Sequence, residues 1–133
     1  MSLKRHVQPL NQGRNKRQQA HKLGLSGEFR AALALQLTGW RILKRRYKTK
    51  VGEIDLIAKR GKTVIFVEVK ARRSREAAMD AVTPASQRRI VKAAKIFITE
   101  HPKAGLFTLR FDVMIIRPWR WPERIINAFP AEN

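Results

Sequence analysis

One continuous segment, residues 63–71, constrains the fold more than any other part of the sequence. It reads Thr-Val-Ile-Phe-Val-Glu-Val-Lys-Ala, so nearly every residue before the charged end is β-branched or aromatic. Such a run is typical of a central strand that is covered on both faces. Residues 51–58 predict a further strand, and a short turn containing Gly61 separates the two segments. The pattern predicts a β-hairpin at the centre of a sheet.

The residues before this hairpin predict a helix followed by a strand. Ser26 is a suitable helix N-cap and Gly39 a suitable end, because serine caps the first turn and glycine tolerates the backbone that closes the last. A spacing of four places three large apolar residues on one helix face, which we expect to be buried. These residues are Phe29, Leu33 and Leu37. Residues 40–47 follow as a strand.

The residues after the hairpin predict a second helix and a last strand. Thr83 and Pro84 supply a cap and a first-turn proline for a helix that runs to about His101. Its predicted buried stripe consists of Ile90, Ala94, Phe97 and Ile98. Residues 106–116 predict another strand, so the helix is a crossover that returns the chain to the same sheet. The order α-β-β-β-α-β defines an α/β domain with a central mixed sheet flanked by helices in three layers.

The charge balance identifies the class of partner. The 133 residues include 29 Lys and Arg but 10 Asp and Glu, which gives a formal net charge of +19. A field of that sign attracts the phosphates of DNA or RNA, so nucleic acid is the expected partner. No apolar run approaches the roughly 20 residues of a membrane-spanning helix, and we expect no membrane partner.

Composition also suggests how the chain is divided and where it resides. Residues 1–24 are basic and contain no acid, which is typical either of a disordered arm that embraces nucleic acid or of a solvated tail. Residues 25–133 then form a single α/β domain. Without cysteines there are no disulfides or thiolate metal sites, and the N-terminus lacks a secretory signal, so a cytoplasmic location is expected.

The few acidic residues cluster on the predicted hairpin. Glu53, Asp55 and Glu68 fall within 16 residues, and Lys70 follows Glu68 with the same strand parity. If the two strands match in register, the carboxylates converge, and their repulsion is costly unless a cation neutralises it. A hard divalent ion, Mg²⁺ or Mn²⁺, suits oxygen ligands of this kind. The alternative is an ordinary cross-strand ion pair without catalytic meaning.

The same residues carry a resemblance to a known family. Gly-Glu-Ile-Asp-Leu-Ile-Ala at 52–58, followed by Phe-Val-Glu-Val-Lys at 66–70, resembles the signature of the PD-(D/E)xK nuclease superfamily. The chain from about 26 to 117 is similar to the YraN-like family of predicted endonucleases, related to archaeal Holliday junction resolvases. Further matching motifs are Gly27-Glu28, Gln87-Arg88-Arg89-Ile90 and Arg110-Phe111-Asp112-Val113.

This resemblance implies a restriction-endonuclease-like fold and a set of site residues. Asp55, Glu68 and Lys70 would be catalytic, with Glu28 and Gln87 contributing to the same site. The metal ligands would be Asp55, Glu68 and Glu28. Alternatively, Glu28 interacts favourably with the helix dipole and has no catalytic role. The alternative for Gln87 is that it faces solvent in the first turn of its helix. The role of Glu53 stays open, whereas Asp112 is expected to pair with an arginine and hold the last strand.

Basic and aromatic residues outside the acidic cluster are candidates for binding nucleic acid. Cations flanking the site can grip phosphates without reading bases. The predicted set is Arg72, Arg73, Arg75, Arg88, Arg89 and Lys92. Trp119-Arg120-Trp121 interleaves indoles with a cation, a pattern that suits stacking on unpaired bases or, alternatively, covering a sheet edge.

Two functions are therefore expected from the sequence. The first is a Mg²⁺- or Mn²⁺-dependent endonuclease acting on DNA, branched or junction DNA included. The second is a non-catalytic binder of DNA or RNA that keeps the nuclease fold and uses its positive surface. Symmetric cleavage of a junction requires two sites, so a homodimer is a candidate assembly, although no self-association surface is evident in the sequence.

Overall fold

A five-stranded sheet lies at the centre of the computed structural model, which describes residues 27–131. Its strands follow one another in space as in sequence: β1 (Arg41–Lys48), β2 (Glu53–Arg60), β3 (Thr63–Ala71), β4 (Thr108–Ile116) and β5 (Glu123–Ile125). β3 pairs antiparallel with β2 and parallel with β4, so the sheet is mixed. The apolar run at 63–71 is the central strand, as predicted.

Helices cover both faces of this sheet. Helix α1 spans residues 27–37, α2 spans Arg75–Asp80 and α3 spans Pro84–Glu100, after which Pro102–Leu106 forms a 3₁₀ turn. α3 is the crossover between the parallel strands β3 and β4, and the Thr83 hydroxyl caps it by accepting from the N–H of Ser86 at 3.1 Å. None of the helices in residues 27–131 is long and apolar enough to cross a membrane.

Two apolar clusters separate the layers. On the α3 side, Phe66 of β3 packs with Phe97 of α3 and Phe111 of β4. On the α1 side, Ile65 and Val67 pack against the alanines and leucine of α1. Alternate residues of β3 are therefore buried on opposite faces of the sheet. Burial of each large apolar side chain stabilises the folded state by roughly 1.5–3 kcal/mol. The predicted α/β fold with its three-layer, restriction-endonuclease-like arrangement is confirmed.

The buried face of α1 differs from the prediction. Phe29, Leu33 and Leu37 are 62%, 42% and 65% exposed. The residues that face the sheet are Ala31, Ala32, Ala34 and Leu35. Alanine side chains let the helix backbone approach the sheet closely, so the face with small residues is buried although the opposite face carries the larger apolar groups. The spacing of the large apolar residues therefore predicted the wrong buried face of α1.

Several short elements and boundaries were also not predicted. α2 is one of these elements, and Ser74 caps it by accepting from the N–H of Ala77 at 3.1 Å. β5 was not expected at all. β2 begins two residues later than predicted, and β4 begins at Thr108 because the 3₁₀ turn precedes it. Gly39 follows α1 with a φ of 92°, as predicted for a helix end. The predicted arm at 1–24 and the cap Ser26 lie outside the described residues.

Candidate active site

The site begins where the pairing of β2 with β3 ends. The paired residues run from Arg60 and Thr63 to Leu56 and Val67. One residue further, the Asp55 carboxylate accepts a hydrogen bond from the N–H of Val69 at 2.7 Å. A side-chain oxygen thus takes the place of a backbone carbonyl, which fixes the Asp55 carboxylate beside the end of β3.

The regular alternation of β2 is interrupted at the same residue. Leu56 belongs to the apolar cluster on the α1 side, whereas Ile54 belongs to the cluster on the α3 side. In the adjacent strand β1, Arg46 lies between the residues that pair with Leu56 and Ile54, and its φ is 51°. Asp55 is therefore placed at a local kink, from which it lines a cleft on each face of the sheet.

The cleft on the α3 side, here called the acidic cleft, contains most of the predicted site. It has a volume of ≈310 Å³ and is lined by Glu53, Asp55, Glu68, Lys70, Ser86, Arg89 and Ile90. The carboxyl group of Glu68 lies beside that of Asp55, close enough to raise the pKa of Asp55. Lys70 Nζ lies 3.7 Å from Glu68 Oε2. The structure thus brings Asp55, Glu68 and Lys70 together on one side of the sheet.

The proximity of the two carboxyl groups perturbs the ionisation of Asp55. Burial, the hydrogen bond with Glu68 and the charge of Glu68 together raise the pKa of Asp55 to about 8. The N–H of Val69 and the charge of Lys70 oppose this rise but do not cancel it. A second positive charge in the cleft would favour the ionised pair, so the arrangement suits binding of a cation.

The donor set fits a hard divalent ion, with two protein carboxylates as the minimum. Mg²⁺ commonly takes one or two carboxylates and completes its octahedron with water and substrate oxygens. Asp55 and Glu68 can supply these. Within residues 27–131, no three His, Cys, Asp or Glu side chains are grouped closely enough to hold a metal ion. Glu28 therefore does not complete a three-carboxylate group with this pair.

Glu28 lies in the second cleft, on the α1 side. This cleft has a volume of ≈270 Å³ and is lined by Glu28, Phe29, Arg45, Arg46, Asp55 and Leu56. The Glu28 carboxylate accepts from Arg46 Nε at 3.2 and 3.3 Å. Glu28 and Asp55 thus share a cleft, but the nearest charge to Glu28 is a guanidinium. The backbone kink at Arg46, which no sequence pattern indicated, creates this pairing.

The first turns of α3 contribute a wall of the acidic cleft. Gln87 donates from Nε2 to the carbonyl of Val82 at 3.2 Å and is part-buried. Ser86, which was not among the predicted site residues, lines the cleft together with Arg89 and Ile90. Spacings of three and four place these residues on one helix face, so the pattern that predicted Ile90 as buried could also have indicated Ser86.

Gly52 allows the first turns of α3 to lie close to the start of β2. A Cβ built on Gly52 would lie 2.4 Å from the carbonyl oxygen of Arg89, closer than real atoms approach. Only glycine allows the start of β2 to approach the backbone of α3 at this point. Glu53, whose role the sequence left open, follows directly and is an exposed member of the cleft lining.

The cations predicted to bind nucleic acid all have exposed side chains. Arg89 is the one that lines the acidic cleft. Arg75 is ion-paired with Glu123, and the Arg72 guanidinium donates to the carbonyl of Ala71 at 2.9 Å. The exposed set is Arg72, Arg73, Arg75, Arg88, Arg89 and Lys92.

Asp112 has the structural role that was predicted. It is fully buried and accepts two hydrogen bonds of 2.9 Å from Arg110, one of 3.1 Å from Arg124 and one of 2.9 Å from the N–H of Asn127. These contacts tie β4 to β5 and the residues after it. Charged partners and complete hydrogen bonding offset the cost of burying this carboxylate.

Fold and site together define an α/β domain with a carboxylate pair and a lysine at the kinked end of its hairpin. The chain belongs to the uncharacterised protein family UPF0102, whose model matches residues 27–116. A UPF0102 protein of Mesorhizobium japonicum is 51% identical, over 88% of this chain and 94% of its own length. Others from Chelativorans sp. and Brucella canis are 46% and 48% identical, covering 90% and 89% of this chain and 97% and 94% of their own. The matched segment includes Asp55, Glu68 and Lys70.

Proposed function

We propose that this protein is a metal-dependent endonuclease of the PD-(D/E)xK type that hydrolyses phosphodiester bonds in DNA, branched DNA included. The observation that carries the proposal is the pairing of Asp55 with Glu68 in the acidic cleft, with Lys70 Nζ 3.7 Å from Glu68. A chain with a net charge of +19 attracts a polyanion, yet bare carboxylates repel phosphate. A cation between the carboxylates and the substrate reconciles these two facts.

Asp55 and Glu68 are the residues that would hold Mg²⁺ or Mn²⁺. When bound, the ion would make a water more acidic and oppose the charge that develops on the phosphate. The N–H of Val69 holds the Asp55 carboxylate in place, so little reorganisation is needed at that ligand. Lys70, on the same face of β3 as Glu68, can orient the attacking water and stabilise negative charge in the transition state.

The wall formed by α3 suits the substrate backbone. The Arg89 guanidinium within the acidic cleft can donate to phosphate oxygens, whereas the Ser86 hydroxyl donates to the carbonyl of Thr83 at 2.9 Å. Neither reads the edge of a base. Recognition at the cleft would therefore depend on the shape of the DNA and the path of its backbone, while a homodimer remains a prediction for substrates that are cut symmetrically.

Cleavage assays on a panel of DNA structures test this function. The purified protein, incubated with Mg²⁺ or Mn²⁺, is expected to cut at least one flapped, bulged, four-way or single-stranded DNA. Asp55→Asn and Lys70→Met should each lower the rate by about 100-fold or more. Asp80→Asn is the matched control, because Asp80 is an exposed acid on α2 away from the cleft. Equal cleavage by wild type and Asp55→Asn would overturn the proposal.

The ion pair in the cleft also favours a second candidate function. Lys70 already lies near Glu68, and no third carboxylate joins the pair within residues 27–131. A non-catalytic protein that binds DNA or RNA through its positive surface has the same features. Calorimetric titration with Mn²⁺ separates the two functions. Binding heat that disappears in Glu68→Gln supports the nuclease, whereas tight DNA binding without metal uptake supports the non-catalytic binder.

A further inference from the structure

The loop between β4 and β5 displays two tryptophans to solvent. Trp119 is 100% exposed and Trp121 is 64% exposed, whereas Trp40 is 3% exposed in the core. Indole is among the largest apolar side chains and normally gains stability by burial. The alternative suggested by the sequence, that these residues cover a sheet edge, is wrong. Residues 117–122 are called the tryptophan loop below.

The backbone of the tryptophan loop is held in this conformation from two sides. The guanidinium of Arg30 on α1 donates to the carbonyls of Arg117 and Arg120. Arg117 in turn pairs with Glu123 at 3.4 Å. Trp119 has a φ of 62°, a left-handed conformation that a bulky residue adopts rarely. Contacts with two separate elements thus maintain a strained backbone that projects an indole into water.

The tryptophan loop follows β4 at the same end of the sheet as Lys70 of the acidic cleft. In the parallel pairing of β3 with β4, Lys70 is opposite Ile115 and Ala71 is opposite Ile116. The N–H of Arg72 donates to the carbonyl of Ile116 at 3.1 Å. The chain therefore leaves β4 into the loop at the end of the sheet where Lys70 lies.

The charge of the loop indicates which ligand it fits. Residues 117–122 read Arg-Pro-Trp-Arg-Trp-Pro and contain two arginines and no acid. Indole faces stack on nucleobases, and adjacent guanidinium groups bind the phosphates between them. An apolar groove of another protein would also accept an indole, but it would not explain the exposed Arg120 between the two tryptophans.

We propose that the tryptophan loop is a stacking site for unpaired bases of DNA. Resting on the nuclease function proposed above, this inference narrows the substrate class to DNA in which unpaired nucleotides lie beside the scissile phosphate. The loop lies outside residues 27–116, so the family match assigns it no role. Trp119, which is fully exposed, is the principal stacking residue, and Trp121 is a second exposed indole in the same loop.

Binding without metal tests the loop separately from catalysis. Fluorescence anisotropy in EDTA compares a duplex that carries a bulge of several nucleotides with the same duplex carrying abasic spacers in the bulge. The spacers keep the phosphates and remove the bases. Wild-type protein is expected to bind the bulge with bases about tenfold more tightly. Trp119→Ala should bind both duplexes equally, and Trp119→Phe should restore most of the preference.

Leu106→Ala is the matched control, because Leu106 is 84% exposed and precedes β4, at the opposite end of this strand from the tryptophan loop. Circular dichroism of each variant checks that the fold is retained. The inference is overturned if wild-type protein does not distinguish bases from spacers, or if Trp119→Ala keeps the preference. It is also overturned if anionic vesicles, and not the bulged DNA, shift the tryptophan emission of wild-type protein and this shift is lost in Trp119→Ala. Wild-type protein that cleaves DNA with metal but shows no base preference would refute the loop's role alone, and wild-type protein that shows the preference but no cleavage would refute the nuclease alone.

Discussion

Replacing Asp55 with asparagine is predicted to stabilise the metal-free protein at alkaline pH. In the wild type, burial and the neighbouring Glu68 raise the pKa of Asp55 from 3.8 to about 8. Asparagine has nearly the same shape, and its carbonyl oxygen can still accept from the N–H of Val69. The substitution therefore removes the carboxylate repulsion while retaining the hydrogen bond that positions the side chain.

The sign and size of the effect follow from proton linkage. Between pH 4 and 8 the folded state retains a proton on Asp55 that the unfolded state releases, so the free energy of unfolding falls as pH rises. A shift of about four units corresponds to a ceiling of ~6 kcal/mol. The acidic cleft is open to water, which reduces the expected loss to ~2 kcal/mol. Below pH 4 the contribution vanishes.

Urea denaturation in EDTA at pH 5 and pH 8 measures this difference. Wild-type protein should lose stability between the two values, and Asp55→Asn should be nearly insensitive to pH and about 2 kcal/mol more stable than wild type at pH 8. Asp80→Asn controls for the general loss of an acid from a basic protein. A variant less stable than wild type at pH 8, with the control unchanged, would refute the account of the carboxylate pair.

Two further substitutions test how the surrounding structure supports the site. Gly52→Ala should destabilise the protein by about 2 kcal/mol in urea denaturation, because the new methyl group would collide with the backbone of α3, whereas Gly105→Ala meets only ordinary contacts and should be nearly neutral. Asp112→Ala should lower the free energy of unfolding by ~3 kcal/mol in the same assay, because it leaves Arg110 and Arg124 without their buried partner. A decrease below about 1 kcal/mol would contradict the structural role of Asp112.

The elements that could be predicted from the sequence are those with a long and unambiguous pattern. β3 was located to the residue because nearly every position before its charged end is β-branched or aromatic. The convergence of Asp55, Glu68 and Lys70 followed from strand alternation and a short turn. α2 and β5 were missed because six and three residues are too few for a periodic signal.

Other features depend on tertiary contacts that no local pattern encodes. The buried face of α1 is decided by how closely alanines approach the sheet, and not by the size of Leu33. The interrupted alternation at Asp55 coincides with the left-handed backbone of Arg46 in β1, and the guanidinium of Arg46 pairs with Glu28, which lies 18 positions away in the sequence. The exposure of Trp119 likewise depends on Arg30, which reaches the loop from α1.

Crystals soaked in Mn²⁺ provide the most direct test of the central claim. An anomalous difference peak is expected between the carboxylates of Asp55 and Glu68, at about 2.0–2.3 Å from one oxygen of each, and it should be lost in Asp55→Asn. Absence of the peak from wild-type crystals at saturating Mn²⁺, or its persistence in the variant, would contradict the assignment of this pair as the metal site.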